Sequence, residues 1–455
     1  MAPNPIELPP AVMFAGADPA RERRAARLLA AFIATGLFFL AMPGTLIGVG
    51  NLLLIALQRA PQAPPTAWIQ AHGQAQIFGW VGSFILGISL FILPRLRGRA
   101  LASLPAGWSV WLLWTGGVTL RWLTGVGDLP AHPYLAASAG LELAAWALAL
   151  AVLMAPRRCV QVFGSVLGYA GFCGLGITLL VNLMGALQAA PGTAMYPPEL
   201  DRELVELALW AFILPSVVSY STHLVSGFLG LRPHRFATAL PGRLGRLDLF
   251  ALLALAVAAW TVAVLQGAFL VADALALAMV AAAIWALRIF EPTSAPPLAP
   301  PRDAAGVYGG YPTFIRIAYG WLLLGAVLAL LAHAIPLLPG LGGAARHAVT
   351  VGFIATLIFS LGPRMLPTFV NHRQLFSSTM MALSLWVLTL GCALRVVSEA
   401  ASYGAPGSWT WSWLPLSAYL ELTAVLLFVA NLGLTLVRSP RAGFRQPAMG
   451  RLPTA

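Results

Sequence analysis

Six side chains stand out in this sequence because their types and spacing are suited to holding a metal or a charged cofactor. They form one histidine–arginine–glutamate set early in the chain and a second set late in it: His72, Arg121 and Glu142, then His347, Arg395 and Glu421. Imidazole ligates transition metals, and the planar fork of arginine gives a carboxylate two parallel hydrogen bonds. The two sets therefore predict a pair of related ligand-binding positions.

All six side chains lie in or beside long apolar runs. Of the 455 residues, 59% are hydrophobic and 9% are charged, and the mean hydropathy is +0.82, whereas soluble domains carry about 25% charged residues. About 20 mainly apolar residues cross the ~30 Å core of a membrane as a helix. The sequence has twelve such runs, which begin near residues 29, 72, 108, 134, 160, 204, 247, 268, 315, 347, 378 and 415. We predict an all-α polytopic membrane bundle of about twelve transmembrane helices.

The formal charge of +12 comes from 27 basic residues, all of them arginine, which recur in alternate loops. This distribution indicates topology rather than a nucleic-acid partner, because cytoplasmic loops carry the excess of basic residues. It predicts a cytoplasmic tail at 1–28, a transmembrane domain at 29–437 with a cytoplasmic loop at 291–312, and a cytoplasmic tail at 438–455. Arginine in place of every lysine is typical of a GC-rich bacterial genome, so we expect the bacterial inner membrane.

Helices 2 to 4 of the predicted series resemble helices 10 to 12. The two histidines are 275 residues apart, the two arginines 274 and the two glutamates 279, and the sequence SAGLEL at 138–143 recurs as SAYLEL at 417–422. A fainter middle copy places Asp273 where Glu142 stands, 131 residues later. The pattern predicts a parallel repeat, and with the middle copy it predicts three four-helix units.

His72 and His347 open helices 2 and 10, and both helices run inward from the periplasmic side. Two histidines at equivalent places in a bundle suit a haem, which takes one imidazole on each side of its iron. We therefore name His72 and His347 as candidate axial ligands of a b-type haem. The alternative is that both are interfacial histidines hydrated by lipid headgroups.

Arg121 and Arg395 lie near the outer ends of helices 3 and 11, at about the depth of the two histidines. Two roles stay open for them. Each arginine could bind a haem propionate, or each could pair with the glutamate of its own set, Arg121 with Glu142 and Arg395 with Glu421.

A second metal, copper, has fewer candidate donors. His333 lies at the outer end of helix 9 and could approach His347 from there. His223 and His372 could form a separate site with Asn371 near the opposite membrane face. The three cysteines have no C-x-x-C spacing, so neither a disulfide framework nor a zinc cluster is predicted.

Two histidine segments resemble known families. The segment 72–80, HGQAQIFGW, resembles the second helix of haem-copper oxidase and nitric oxide reductase catalytic subunits, whose histidine there ligates a haem. It equally resembles the early histidine segment of the NnrS family, and RHAVTVGF at 346–353 resembles that family's later one. Segments 362–365, 372–373 and 394–396 also fit the NnrS family, so the resemblance extends over helices 2 to 12.

Membership of the NnrS family would imply a membrane protein that contains haem and copper and takes part in bacterial nitric oxide tolerance. The leading hypothesis is therefore an NnrS-like haem protein that binds or processes nitric oxide or another small gas and is surrounded by membrane lipid. An enzymatic role would be that of a haem-dependent oxidoreductase acting on nitric oxide. The sequence identifies neither catalytic residues nor the electron donor.

Two alternatives belong to other classes. A divergent haem-copper oxidase or nitric oxide reductase subunit would share the twelve-helix, three-unit architecture. However, Leu214 stands where those enzymes have a copper-binding histidine in helix 6, and helix 7 has no histidine. A cofactor-free transporter would instead use the buried acidic residues Glu142, Asp273 and Glu421.

Overall fold

The structure, a computed structural model, describes residues 19–96, 100–127, 131–154, 166–232, 249–294, 306–335, 338–369, 374–405 and 407–438. These residues form helices joined by short connections and contain no strand, which confirms the all-α fold class. Within this described part of the chain, ten helices are long and apolar enough to cross a membrane. The chain is thus a multi-pass membrane protein, while the full count of twelve spans stays a prediction.

The described residues form twelve long helical runs, which we number α1 to α12. Their bounds are 19–58 (α1), 66–96 (α2), Leu104–Val126 (α3), Ala131–Met154 (α4), Val166–Gln188 (α5), 198–228 (α6), Leu249–Leu265 (α7), Phe269–Leu287 (α8), Tyr311–Ala334 (α9), 341–369 (α10), Ser378–Ser402 (α11) and Trp413–Val437 (α12). The two runs outside the group of ten are α3 and the shorter α7. Both coincide with predicted spans.

The first helix differs from its prediction. It begins at Pro19 rather than near residue 29, and it continues to Gln58 through a π-helical segment, Leu40–Leu46, that contains Pro43. Proline lacks the N–H that an α-helical hydrogen bond needs, and a local widening of the helix accommodates it. The tails at 1–18 and 439–455 and the loop residues 295–305 lie outside the described residues.

The second helix of each four-helix unit has the same internal construction. An α-helical start leads into a wider π-helical segment, which is Ala75–Gly82 in α2, Leu207–Ile213 in α6 and Ala348–Ala355 in α10. Such segments are rare and occur often at functional sites. Their recurrence supports three units rather than two, as the fainter middle copy in the sequence predicted.

The three units form a closed ring. Within each unit the helices pack in sequence order, and between units α4 packs against α5, α8 against α9, and α12 against α1. The second helices face the centre, because 89%, 78% and 67% of the most apolar windows of α2, α6 and α10 are buried, against 33–61% in the other spans. Aromatic contacts close the middle, where Trp80 meets Phe359 and Phe359 stacks on Phe428 at 3.8 Å between ring centroids.

Candidate functional site

The repeat brings the glutamate of each set against a glycine of the preceding helix. A Cβ added at Gly117 would lie 2.7 Å from Cγ of Glu142, and one added at Gly391 would lie 3.0 Å from Cγ of Glu421. Each glycine stands four residues before the arginine of its set. The two arginine–glutamate frames, α3 with α4 and α11 with α12, are therefore built alike.

His72 lies at the end of the bundle where α2 and α10 begin, which we call the histidine end. Its Nδ1 is 2.8 Å from the carbonyl oxygen of Gly44 in the π-helical segment of α1. Gly48, one turn further along α1, approaches the ring so closely that a Cβ there would lie 2.5 Å from Cε1. Among the described residues, Nε2 has no hydrogen-bond partner. One nitrogen is thus held by the backbone and the other is available, the arrangement common for a metal-binding histidine.

His347 has three polar neighbours at the same end. Its Nδ1 is 3.0 Å from the carbonyl oxygen of Gly343 and 2.9 Å from Oε2 of Glu399, and its Nε2 is 3.3 Å from Nη2 of Arg395. The Nδ1–H donates to Gly343 in hydrogen-bonding geometry, so Nε2 is the acceptor that faces Arg395. Oε2 of Glu399 is close to the same Nδ1 but lies outside hydrogen-bonding geometry.

Both histidines lie at the end of the bundle where α2 and α10 begin. His72 is close enough to His347 and Arg395 to interact with both electrostatically. The register differs between the units, because His72 lies three residues before the π-helical segment of α2 and His347 one residue before that of α10. Helix position therefore matches His347 with Gln74, so the equivalence of the two histidines is approximate.

Arg121 is fully buried. None of its guanidinium nitrogens makes a hydrogen bond to an acceptor among the described residues. The guanidinium carbon is 4.7 Å from the centre of the Tyr196 ring. Glu142 and Asp201 are near enough to interact with it electrostatically. A buried cation without a direct partner is costly, so this position is suited to an anionic group from outside the chain.

Asn182 is the centre of a hydrogen-bond network beside Arg121. It donates from Nδ2 to Oε2 of Glu142 at 2.8 Å, and its Oδ1 accepts from Nε2 of Gln74 at 2.9 Å and from the hydroxyl of Tyr196 at 3.0 Å. Burial raises the pKa of Tyr196 to about 12, so the hydroxyl keeps the proton that it donates. The network joins the first unit to α5 of the second.

Neither predicted arginine–glutamate pair forms within 4.0 Å among the described side chains. Instead, Arg395 is 3.4 Å from Oε2 of Glu399, one helical turn further along α11. Glu399 is not among the residues predicted from the sequence, although its spacing of four residues from Arg395 on one helix is typical of an ion pair. At the corresponding position in α3, four residues after Arg121, the residue is Gly125.

His333 belongs to another cluster. Its Nδ1 contacts Oδ2 of Asp273 and its Nε2 contacts Nη2 of Arg202. Its ring also stacks on Phe269, over which the guanidinium of Arg202 lies. Both ring nitrogens are therefore engaged away from His347.

The proposed inner site is not described. The side chain of His223 and all of His372 and Asn371 lie outside the described residues, so a metal site formed by them stays a prediction.

The donor set at the histidine end fits a haem. It offers the free Nε2 of His72, the neighbouring His347, and two buried guanidinium groups, Arg121 and Arg395, with nitrogens that lack acceptors. Ligation by His347 requires Nη2 of Arg395 to leave its Nε2. Within the described residues, no three histidine, cysteine or acidic side chains form a group that could hold a further metal ion.

No protein-family model matches the chain, and no curated protein is significantly similar to it.

Proposed function

We propose that the chain is an NnrS-like haem protein of the bacterial inner membrane that binds or processes nitric oxide, with both termini in the cytoplasm and the histidine end toward the periplasm. The observation that carries the proposal is the free Nε2 of His72 at the same end of the bundle as His347, together with two buried arginines, Arg121 and Arg395, that have guanidinium nitrogens without hydrogen-bond acceptors among the described residues. The resemblance of segments 72–80 and 346–353 to NnrS sequences supports the nitric oxide assignment.

In this proposal His72 and His347 hold the iron, and Arg121 and Arg395 neutralise the propionates. Charge-assisted hydrogen bonds are about twice as strong as neutral ones. The unpartnered nitrogens of Arg121 make it the stronger candidate of the two. A bound haem would supply an iron that coordinates a diatomic gas and exchanges electrons.

The residues of this chain would prepare that position. The carbonyl oxygen of Gly44 orients the His72 ring, and the carbonyl oxygen of Gly343, with the nearby Glu399 carboxylate, keeps the Nδ1 proton of His347. Partners of this kind fix the tautomer and orientation of a ligating imidazole. Copper remains part of the proposal only as the family resemblance implies it, and an electron donor stays to be identified.

The proposal is tested by visible spectroscopy of the purified full-length protein and of single variants. We expect a haem spectrum in the wild type, a loss of more than half of the haem in His72→Ala and in His347→Ala, and full haem in His132→Ala. His132 is the matched control, because its exposed ring makes only a 3.5 Å contact with the carbonyl oxygen of Leu187. Haem retained in full by both ligand variants would refute the ligand assignment.

Two glycine variants refine the same experiment without removing an imidazole. Gly48→Ala places a methyl group against the His72 ring, whereas Gly50→Ala, on the same helix, adds one to open space. We expect a shifted or weakened haem spectrum in Gly48→Ala alone. Exposure of the reduced protein to nitric oxide then tests the gas assignment, since a nitrosyl spectrum is required.

A further inference from the structure

A cavity of about 240 Å³ lies between the second and third units at the histidine end. Residues of α6, α8, α9 and α10 line it, and neither His72 nor His347 is among the lining residues. Ligand sites for drug-sized molecules occupy roughly 300–1,000 Å³. The volume is therefore suited to a small molecule and too small for a haem.

Five ionisable side chains line the cavity, and three of them satisfy one another. Asp273, His333 and Arg202 form a connected row, and Phe269 packs against the last two. These three side chains therefore form one wall of the cavity, in which they contact one another through their polar atoms.

The remaining two are an acidic and a basic side chain, of which Glu206 is half-buried and Arg346 is exposed. Glu206 reaches the cavity from α6 and Arg346 from α10. Among the described residues, neither side chain has a hydrogen bond or an ion pair within 4.0 Å, although the two interact electrostatically across the cavity. Opposite charges that share a cavity without touching leave room for a group that contacts both.

The other walls are apolar. Leu209, Trp210 and Val349 lie on α6 and α10, and Ala329 and Ala332 lie on α9. They offer space for a short aliphatic group between the two charges.

We propose that this cavity binds a zwitterion of the size of a simple amino acid, with Arg346 holding the carboxylate and Glu206 the ammonium group. A ligand with only one charge would contact only one of these two side chains, whereas a zwitterion would contact both. Arg346 suits the carboxylate because its fork donates two parallel hydrogen bonds. The proposal is independent of haem binding.

Isothermal titration calorimetry on the purified full-length protein in detergent micelles tests the proposal. The probes are glycine and alanine, with acetate and methylamine as their single-charge counterparts. We expect glycine or alanine to bind at least tenfold more tightly than either counterpart. If acetate binds as tightly as glycine, the cavity is an anion site and the zwitterion proposal is wrong. The absence of binding by every probe would also refute the proposal.

Variants assign the roles. Glu206→Gln and Arg346→Gln should each weaken glycine or alanine binding at least tenfold, whereas Glu203→Gln, one turn earlier on α6 and outside the cavity lining, should leave it unchanged. Ala329→Leu fills the cavity without touching a charge and should abolish binding. Unchanged binding in Ala329→Leu or in both charge variants would place the ligand elsewhere and overturn the assignment.

Discussion

The first and third units place an arginine at equivalent positions, Arg121 in α3 and Arg395 in α11, but surround its guanidinium with different partners. Arg395 in α11 has Glu399 one turn along its own helix, with Nε 3.4 Å from the carboxylate, and His347 beside it. Arg121 in α3 has Gly125 in the place of that glutamate. Its guanidinium reaches no acceptor of the described residues.

The difference assigns separate roles to two side chains that the repeat makes equivalent. The third unit compensates its buried charge internally and uses the same carboxylate near Nδ1 of His347. In the first unit, the guanidinium of Arg121 makes no hydrogen bond to a described acceptor and lies over the ring of Tyr196. An anionic group from outside the chain should therefore depend more on Arg121 than on Arg395.

The largest effect should follow from removing the carboxylate that distinguishes the third unit. Glu399→Gln leaves Arg395 buried without its direct partner, and breaking a buried ion pair in this way costs roughly 3–5 kcal/mol. Glu142→Gln should cost about 1 kcal/mol, because glutamine still accepts the Asn182 hydrogen bond and no direct ion pair is lost. Unfolding free energies in detergent micelles measure both. Equal costs would show that Arg121 depends on Glu142 as Arg395 does on Glu399.

Much of the fold followed from the sequence because hydropathy and the spacing of like residues are local properties. Apolar length located the helices, and the repeat of histidine, arginine and glutamate anticipated that equivalent helices approach the same end of the bundle. The faint middle copy was enough to indicate the third unit, which the recurring π-helical segments of α2, α6 and α10 support. The early start of α1 was missed, since its basic first turns carry no apolar signal.

The partners within the site were harder to predict, because they depend on which face each helix turns to its neighbours. Asn182 and Tyr196 come from a different unit than Arg121, and no local pattern links them to it. His333 was expected near His347, but Asp273 on α8 and Arg202 on α6 engage its ring. The spacing of Glu399 from Arg395 indicates an ion pair on one helix. Glu421 matches Glu142 in the repeat, however, and the repeat therefore predicted Glu421 as the partner.

A smaller effect should separate two glycines of α3. A Cβ at Gly125 would lie 2.8 Å from the Cβ of Ala71 and 2.9 Å from Nη1 of Arg121, whereas one at Gly116 meets nothing within 4 Å. Gly125→Ala should destabilise the protein by about 1–3 kcal/mol through overpacking. Gly116→Ala should stabilise it by roughly 0.5–1 kcal/mol, because alanine loses less backbone entropy in a helix.

Chemical or thermal unfolding of the two glycine variants in detergent gives the sign of each change. If Gly125→Ala is as stable as Gly116→Ala, Arg121 has room to move, and its unpartnered nitrogens then indicate mobility rather than a prepared anion site.

The smallest expected effect is the difference between the glycines that support the two glutamates. A Cβ at Gly117 would approach Cγ of Glu142 to 2.7 Å and the carbonyl oxygen of Ser138 to 3.0 Å. At Gly391 the nearest atoms are Cγ of Glu421 at 3.0 Å and Cβ of Leu420 at 3.1 Å. Both positions also meet a backbone nitrogen at 3.2 Å, so the difference rests on the closer approach to the glutamate side chain at Gly117. Gly117→Ala should therefore cost about 1 kcal/mol more than Gly391→Ala. Parallel unfolding curves of the two variants measure that difference. The reverse order would mean that the third unit is the more tightly packed of the two. Arg395, rather than Arg121, would then be the more rigidly held charge.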